Sequence, residues 1–198
     1  MKEIIIATKN SGKANEFQTI LEPRGFKVLS LLDMDFLGEI EETGQSFEEN
    51  AILKAEAISK ITGKPVIADD SGLSADALGG DPGIYSARYA GLDKNDEANV
   101  EKLLEKMKDV DWENRTARFR CALAVASPER ETITVEGSVE GYIAEKPEGT
   151  GGFGYDPIFY VKDKSATMAQ LTPDEKNKIS HRAMALKKLE TLIDDYFA

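Results

Sequence analysis

Two adjacent carboxylates, a hydroxyl and a glycine, Asp69-Asp70-Ser71-Gly72, follow the short apolar run Val66-Ile67-Ala68. This is the composition expected where a buried strand runs out into a cleft. A carboxylate placed there can take a hard cation or accept a proton from water. In extended backbone, successive side chains point to opposite faces, so at most one of Asp69 and Asp70 meets a given ligand, and physics alone does not choose between them. Asp, Ser and Gly are also the ordinary residues of a strand-to-turn junction.

Three further stretches carry polar chemistry. Thr8-Lys9-Asn10-Ser11-Gly12-Lys13 lies between the apolar run Ile4–Ala7 and a helical pattern over residues 14–21. Strand, polar glycine loop and helix together make a phosphate cradle, in which helix N-terminal amides and a lysine meet an anion. It is not a Walker A loop, which would need Gly in place of Ala7 and Ser or Thr in place of Ala14. Gly149-Thr150-Gly151-Gly152-Phe153-Gly154-Tyr155-Asp156-Pro157 combines four glycines, which allow close approach of backbone to a ligand, with two aromatic rings on which a base could stack. In Ser180-His181-Arg182, a Ser180 N-cap would put two cations into a helix's first turn against its dipole, at a cost of about 0.3–1 kcal/mol. That misfit wants an anion or a polar ligand. If the helix instead runs unbroken from Pro173, the argument lapses.

The elements that must position these residues are legible from periodicity. Ile4-Ile5-Ile6-Ala7 is continuously apolar, as a strand covered on both faces is. Phe17, Ile20 and Leu21 have helical spacing before Pro23 and Gly25 stop the helix, and Phe26–Leu32 reads as a second strand. An acidic connection over residues 33–42 leads to Thr43-Gly44. Ser46 and Glu49 form a capping box for a helix to about Thr62, with Phe47, Ala51, Ala55 and Ile58 on one stripe. Leu78-Gly79-Gly80-Asp81-Pro82-Gly83 reads as loop, and Arg88 between Tyr85 and Tyr89 as either a ligand clamp or, more commonly for such a side chain, surface packing. Residues 97–108 form an amphipathic helix. Alternation over Ala117–Val125 and Ile133–Ile143, with a turn at Ser127-Pro128-Glu129, predicts an antiparallel hairpin. Parallel crossovers in the first half and a hairpin in the second predict a mixed sheet.

Whole-chain quantities bound the function. The 198 residues fit one domain with a sizeable core. With 25 basic and 36 acidic residues, net charge −11, the chain is unsuited to general binding of nucleic acid or anionic membrane, so an anionic ligand must be held by local means. The single cysteine, Cys121, excludes an intramolecular disulfide and fits a reducing compartment, which with the absence of a membrane-length apolar run predicts a cytoplasmic enzyme. Met1-Lys2-Glu3 and the three isoleucines after it are too short for a signal peptide. The single histidine, His181, excludes a multi-histidine metal centre, so a metal here would be a hard cation on oxygen ligands.

Several stretches agree with one family. Thr8-Lys9-Asn10-x-x-Lys13, Phe47-x-Glu49-Asn50-Ala51, Ala68-Asp69-Asp70-Ser71-Gly72-Leu73, Pro82-Gly83-x-Tyr85-Ser86-Ala87-Arg88, the glycine-aromatic stretch to Pro157 and Ile179-Ser180-His181-Arg182 resemble the inosine/xanthosine triphosphate pyrophosphatases, in order and over almost the whole chain. The resemblance implies an α/β fold, an elongated mixed β-sheet flanked by helices in two lobes with a central substrate groove. It implies a single domain over residues 1–198, a homodimer and Mg²⁺-dependent hydrolysis of dITP, ITP and XTP to the monophosphate and pyrophosphate. Carried over by position, Asp70 is implied as general base and metal neighbour and Glu41 as metal ligand. Thr8, Lys9, Asn10, Ser11, Gly12 and Lys13 are implied as the triphosphate cradle with Ser71 beside it, and Phe153, Gly154, Tyr155 and Asp156 with Lys176, His181 and Arg182 as the base pocket. The preference for Asp70 over Asp69 and for Glu41 over Glu42 comes from the resemblance. A related pyrophosphatase preferring pyrimidine triphosphates, and a non-catalytic nucleotide-binding module, are the alternatives.

Overall fold

The computed structural model describes residues 2–34 and 38–197; residues 35–37, inside the expected acidic connection, lie outside the described residues. Seven strands, β1 (Lys2–Ile6), β2 (Phe26–Ser30), β3 (Val66–Ala75), β4 (Thr116–Ser127), β5 (Arg130–Ile143), β6 (Phe159–Val161) and β7 (Ala166–Thr167), form one sheet in the order β2-β1-β3-β4-β5-β6-β7. Among the described residues five α-helices accompany them: α1 (Ser11–Leu21), α2 (Phe47–Thr62), α3 (Asp96–Met107), α4 (Pro173–Ile179) and α5 (His181–Phe197). β1 pairs in parallel with β2, Ile4 opposite Val28, and with β3, Ile5 opposite Val66. β6 pairs antiparallel with β5 and with β7. A turn at Pro128-Glu129 joins β4 to its sheet neighbour β5, which leaves a hairpin as the only possible connection. The sheet is therefore mixed, as predicted.

The chain divides into two compact units. In the first, residues 1–70, 121–137 and 185–198, the core joins Ile4 and Ile6 of β1, Phe17 and Leu21 of α1, Ile67 of β3, and Leu186 and Leu189 of α5. Ile4, Ile5 and Ile6 are all fully buried, which explains the unbroken apolar run. In the second, residues 71–120 and 138–184, Leu73, Leu103, Phe119, Ile158 and Phe159 centre the core. Strands β3, β4 and β5 pass covalently from one unit to the other.

Local boundaries differ from the sequence reading in physically instructive ways. α1 starts at Ser11 because the Asn10 side chain accepts from the Lys13 N–H at 3.0 Å, so Ser11, Gly12 and Lys13 form its first turn rather than a loop. β2 stops at Ser30, whose N–H and hydroxyl both donate to Asp33 Oδ2, at 2.7 and 2.8 Å, and turn the chain. At α2, Ser46 accepts from the Glu49 N–H as expected, but Glu49 returns to the Gln45 N–H at 2.7 Å, one residue before the cap. The largest difference is β3, which runs straight through Asp69-Asp70-Ser71-Gly72 to Ala75. Carboxylates need not end a strand when each has a cation beside it, and the fully buried Leu73 and Ala75 hold the continuation in the second core.

Arg115, only 3% exposed, pins the second unit through its own backbone. Its guanidinium donates to the carbonyls of Ile143 (2.7 Å), Met107 (2.7 Å), Val110 (3.1 Å) and Ala144 (3.1 Å). Arg115→Met would leave these acceptors without their donor. It is expected to lower the unfolding free energy by about 2–4 kcal/mol, read from the urea midpoint.

Candidate functional site

In the first unit, β3 presents the two carboxylates to different helices. Asp69 meets Lys13 of α1 at 3.1 Å, and Asp70 meets Lys54 of α2 through Oδ1 at 3.5 Å. The alternation of a strand thus gives each acid its own lysine. Lys54, at helical spacing from Phe47, Asn50 and Ala51 on the buried stripe of α2, also donates to the Asp69 carbonyl at 2.6 Å and to Glu42 Oε1 at 2.9 Å. Sequence reasoning passed over Lys54. A lysine on an otherwise apolar or small-residue helix stripe is the signal that marks it.

The electrostatics of this cluster are lopsided. Burial works to lower the Lys54 pKa, but Asp70, Glu42 and Asp69 together outweigh it and raise it, so the ammonium stays charged. Asp70 fares differently because it shares that ammonium. Burial raises its carboxyl above the usual range, Glu42 and Asp69 push the same way, and Lys54 and Lys13 only partly offset them. Asp70 Oδ2 is buried and has no hydrogen-bond partner among the described residues. An acceptor in that state is placed for a cation or a water proton.

Glu41 is exposed and Glu42, half-buried, is the one held on Lys54. Asn50 fixes the loop that follows, its Oδ1 accepting from the Gly44 N–H at 2.8 Å; a Cβ on residue 44 would sit 2.6 Å from that oxygen. Along the expected cradle, Thr8 is buried and accepts from the Asn10 N–H at 3.1 Å, while Lys9 is exposed and donates to the Gly38 carbonyl at 2.9 Å. Ser11 and Gly12 open α1, where backbone N–H groups have no helical partner and face any anion that arrives.

In the second unit, the residues expected to inspect a base form a tight polar array. Asp156 Oδ2 accepts from Lys176 Nζ at 2.7 Å and from the Phe153 N–H at 3.1 Å, and both Asp156 and Lys176 are buried. The same ammonium lies 4.6 Å from the centre of the Phe153 ring. Three of the four glycines are packed closely by the chain itself. A Cβ at Gly149 would fall 2.6 Å from the Ala169 carbonyl carbon, and one at Gly151 2.9 Å from its oxygen. Gly152, at φ +71°, has no room for a Cβ, which would stand 2.0 Å from Asp156 Oδ2. Tyr155 is 5% exposed within the second core, and its hydroxyl donates to the Ser86 carbonyl at 2.7 Å. Burial raises its phenol pKa.

Ser180 separates α4 from α5. Its extended backbone breaks the helix and its Oγ accepts from the Ala183 N–H at 3.1 Å, so it is the N-cap that the sequence suggested. His181 and Arg182 therefore sit in the first turn of α5, and both are buried. His181 stacks on Phe119, ring centres 4.8 Å apart and planes 18° apart. Arg182, 1% exposed, donates from Nη2 to Ser71 Oγ at 3.2 Å.

Together these features define an open mixed-sheet α/β protein whose strand β3 carries two adjacent carboxylates, each paired with its own lysine, in one unit and whose second unit holds a buried array of polar and aromatic groups. Residues 4–192 match the Ham1 family, and the chain belongs to it. A relative from Bacillus licheniformis called dITP/XTP pyrophosphatase is 69% identical over 98% of this chain and 99% of its own. The solved Ham1 protein of Staphylococcus aureus superposes with TM-score 0.86 at 48% identity, covering 98% of this chain and all of that one. The Coxiella burnetii HAM1 protein gives 0.87 at 43% identity, again over 98% and 100%. No helix among the described residues is long and apolar enough to cross a membrane.

Proposed function

We propose that this chain hydrolyses deaminated purine nucleoside triphosphates, dITP, ITP and XTP, to the nucleoside monophosphate and pyrophosphate. The observation that carries the chemistry is Asp70, a buried carboxylate with one oxygen on Lys54 and the other without a partner among the described residues. The similarity to relatives called dITP/XTP pyrophosphatase supports the substrate class.

In this mechanism Asp70 accepts a proton from a water that attacks the α-phosphorus. The bond from that phosphorus to the bridging oxygen breaks, and pyrophosphate leaves with the electron pair. The raised carboxyl of Asp70 makes it a better proton acceptor than an ordinary aspartate. Lys13 and the first-turn N–H groups of α1 hold the polyphosphate, and Lys54 keeps the Asp70 carboxylate fixed. Mg²⁺ would be held by Asp70, whose Oδ2 is an unpartnered oxygen donor among the described residues, and by Glu41, as the resemblance implies, and when bound it would neutralise phosphate charge. Among the described residues no group of three or more acidic, histidine or cysteine side chains could hold the ion alone. Substrate oxygens and water would complete its shell, which is the usual manner of Mg²⁺ at nucleotide sites.

One assay tests the proposal: a panel of purine and pyrimidine nucleoside triphosphates with Mg²⁺, with pyrophosphate and orthophosphate detected separately. The expected result is pyrophosphate from dITP and XTP, and loss of turnover on chelation by EDTA with restoration by added Mg²⁺. Preference for pyrimidine triphosphates, release of orthophosphate, or binding without turnover would overturn it.

A further inference from the structure

We infer that Ser86 is a positioning residue for base discrimination, the joint that fixes the Phe153–Asp156 stretch to strand β3. The inference rests on the proposed pyrophosphatase activity and goes beyond it. Ser86 is 5% exposed and lies in the 3₁₀ turn Gly83–Arg88. Its two polar ends face in different directions. The carbonyl accepts from the Tyr155 hydroxyl at 2.7 Å, and the Oγ accepts from the Leu73 N–H of β3 at 2.9 Å while donating to the Gly83 carbonyl at 2.6 Å. A continuous run of hydrogen bonds therefore leads from the glycine-aromatic stretch, through one buried serine, to the strand that carries Ser71 two residues earlier and Asp70 three residues earlier.

Tyr155 is flanked by the groups that would read the base. Its neighbour Asp156 holds Lys176 and the Phe153 N–H, and its neighbour Gly154 donates its N–H to Asp96 Oδ2 of α3 at 2.9 Å. With Tyr155 buried, its hydroxyl works as a tether rather than as a ligand contact. A polar array discriminates only as well as it is held, because a loosened one can shift to accept the wrong pattern of donors and acceptors. Ser86 sets where that tether ends.

A buried serine can also be merely structural, and the test must separate the two roles. The ratio of kcat/KM for dITP to kcat/KM for dATP on the same preparation does not depend on how much of the enzyme is folded, so lost stability leaves it unchanged. Tyr155→Phe keeps the ring in the core and removes only the donor. It is expected to reduce this ratio about five- to tenfold, the effect of one buried hydrogen bond. Ser86→Ala, which also strands the Leu73 N–H, is expected to lower the melting temperature and to reduce the ratio by a similar factor. The double variant should reduce it no further than about twofold beyond either single one, because both changes cut the same connection. A ratio within twofold of wild type in Tyr155→Phe, or multiplying effects in the double variant, would overturn the inference even if Ser86→Ala fails to fold. Wild-type protein that turns over dITP while the variants keep its ratio sinks this inference alone; wild-type protein that turns over neither nucleotide sinks the pyrophosphatase proposal with it.

Discussion

Asp70→Asn is expected to lower kcat for dITP about a hundred- to ten-thousandfold, the usual share of a general base. The metal-free variant should nonetheless melt no lower than wild type at neutral pH, and this follows from the sign of the Asp70 shift. The folded carboxyl has a pKa above its ordinary value, chiefly through burial. Its favourable contribution to folding is therefore complete below the unfolded pKa and lost as pH rises through the folded one. At pH 7 the ionised group works against the fold, and asparagine, which imitates the protonated acid, removes that cost. Lys54 keeps Glu42 and the Asp69 carbonyl when the Asp70 carboxylate is gone. Steady-state kinetics beside differential scanning calorimetry check both halves. Near-wild-type turnover would remove Asp70 from the mechanism, and a lower melting temperature would show that the carboxylate stabilises the apo fold instead.

The second large effect concerns the base. A 6-keto purine offers an acceptor at O6 and a donor at N1, and adenine inverts both. Arg182 and Lys176 are buried cationic donors, and donors left facing adenine's amino group would lose their hydrogen bonds without recovering water. Sites built to hydrogen-bond a substrate group reject an analogue lacking it by about 10⁴–10⁵. The expected kcat/KM for dITP therefore exceeds that for dATP by about four orders of magnitude in matched assays. Values within tenfold of each other would show that these donors do not read the 6-position.

Legibility in the sequence followed the range of the interactions involved. The Ile4-Ile5-Ile6 strand, the Ser46 cap of α2 and the Ser180 cap of α5 depend on neighbours a few positions away, and pattern alone finds them. The length of β3 does not: Asp69 and Asp70 look like a strand's end until Lys13 and Lys54, far off in sequence, are seen beside them. For the same reason Lys54 was missed, since only the folded chain shows one ammonium among three acceptors. The glycines at 149, 151 and 152 stand out by composition, which reveals that something passes close but not that Ala169 and Asp156 are among the groups packed against them. Tyr155 shows the same limit for aromatic residues, which a sequence cannot sort into exposed faces and core.

The fit of Gly152 against Asp156 bears on any effort to redirect this protein toward another base. Random mutagenesis across the glycine-aromatic stretch would mostly fail at position 152, where even alanine displaces the carboxylate that anchors Lys176 and the Phe153 backbone. At position 154 a methyl group meets nothing within 4 Å, although φ +60° still favours glycine or asparagine. Directed evolution of specificity is thus channelled toward position 154 and the ring at 153, and away from the hinge on which both depend.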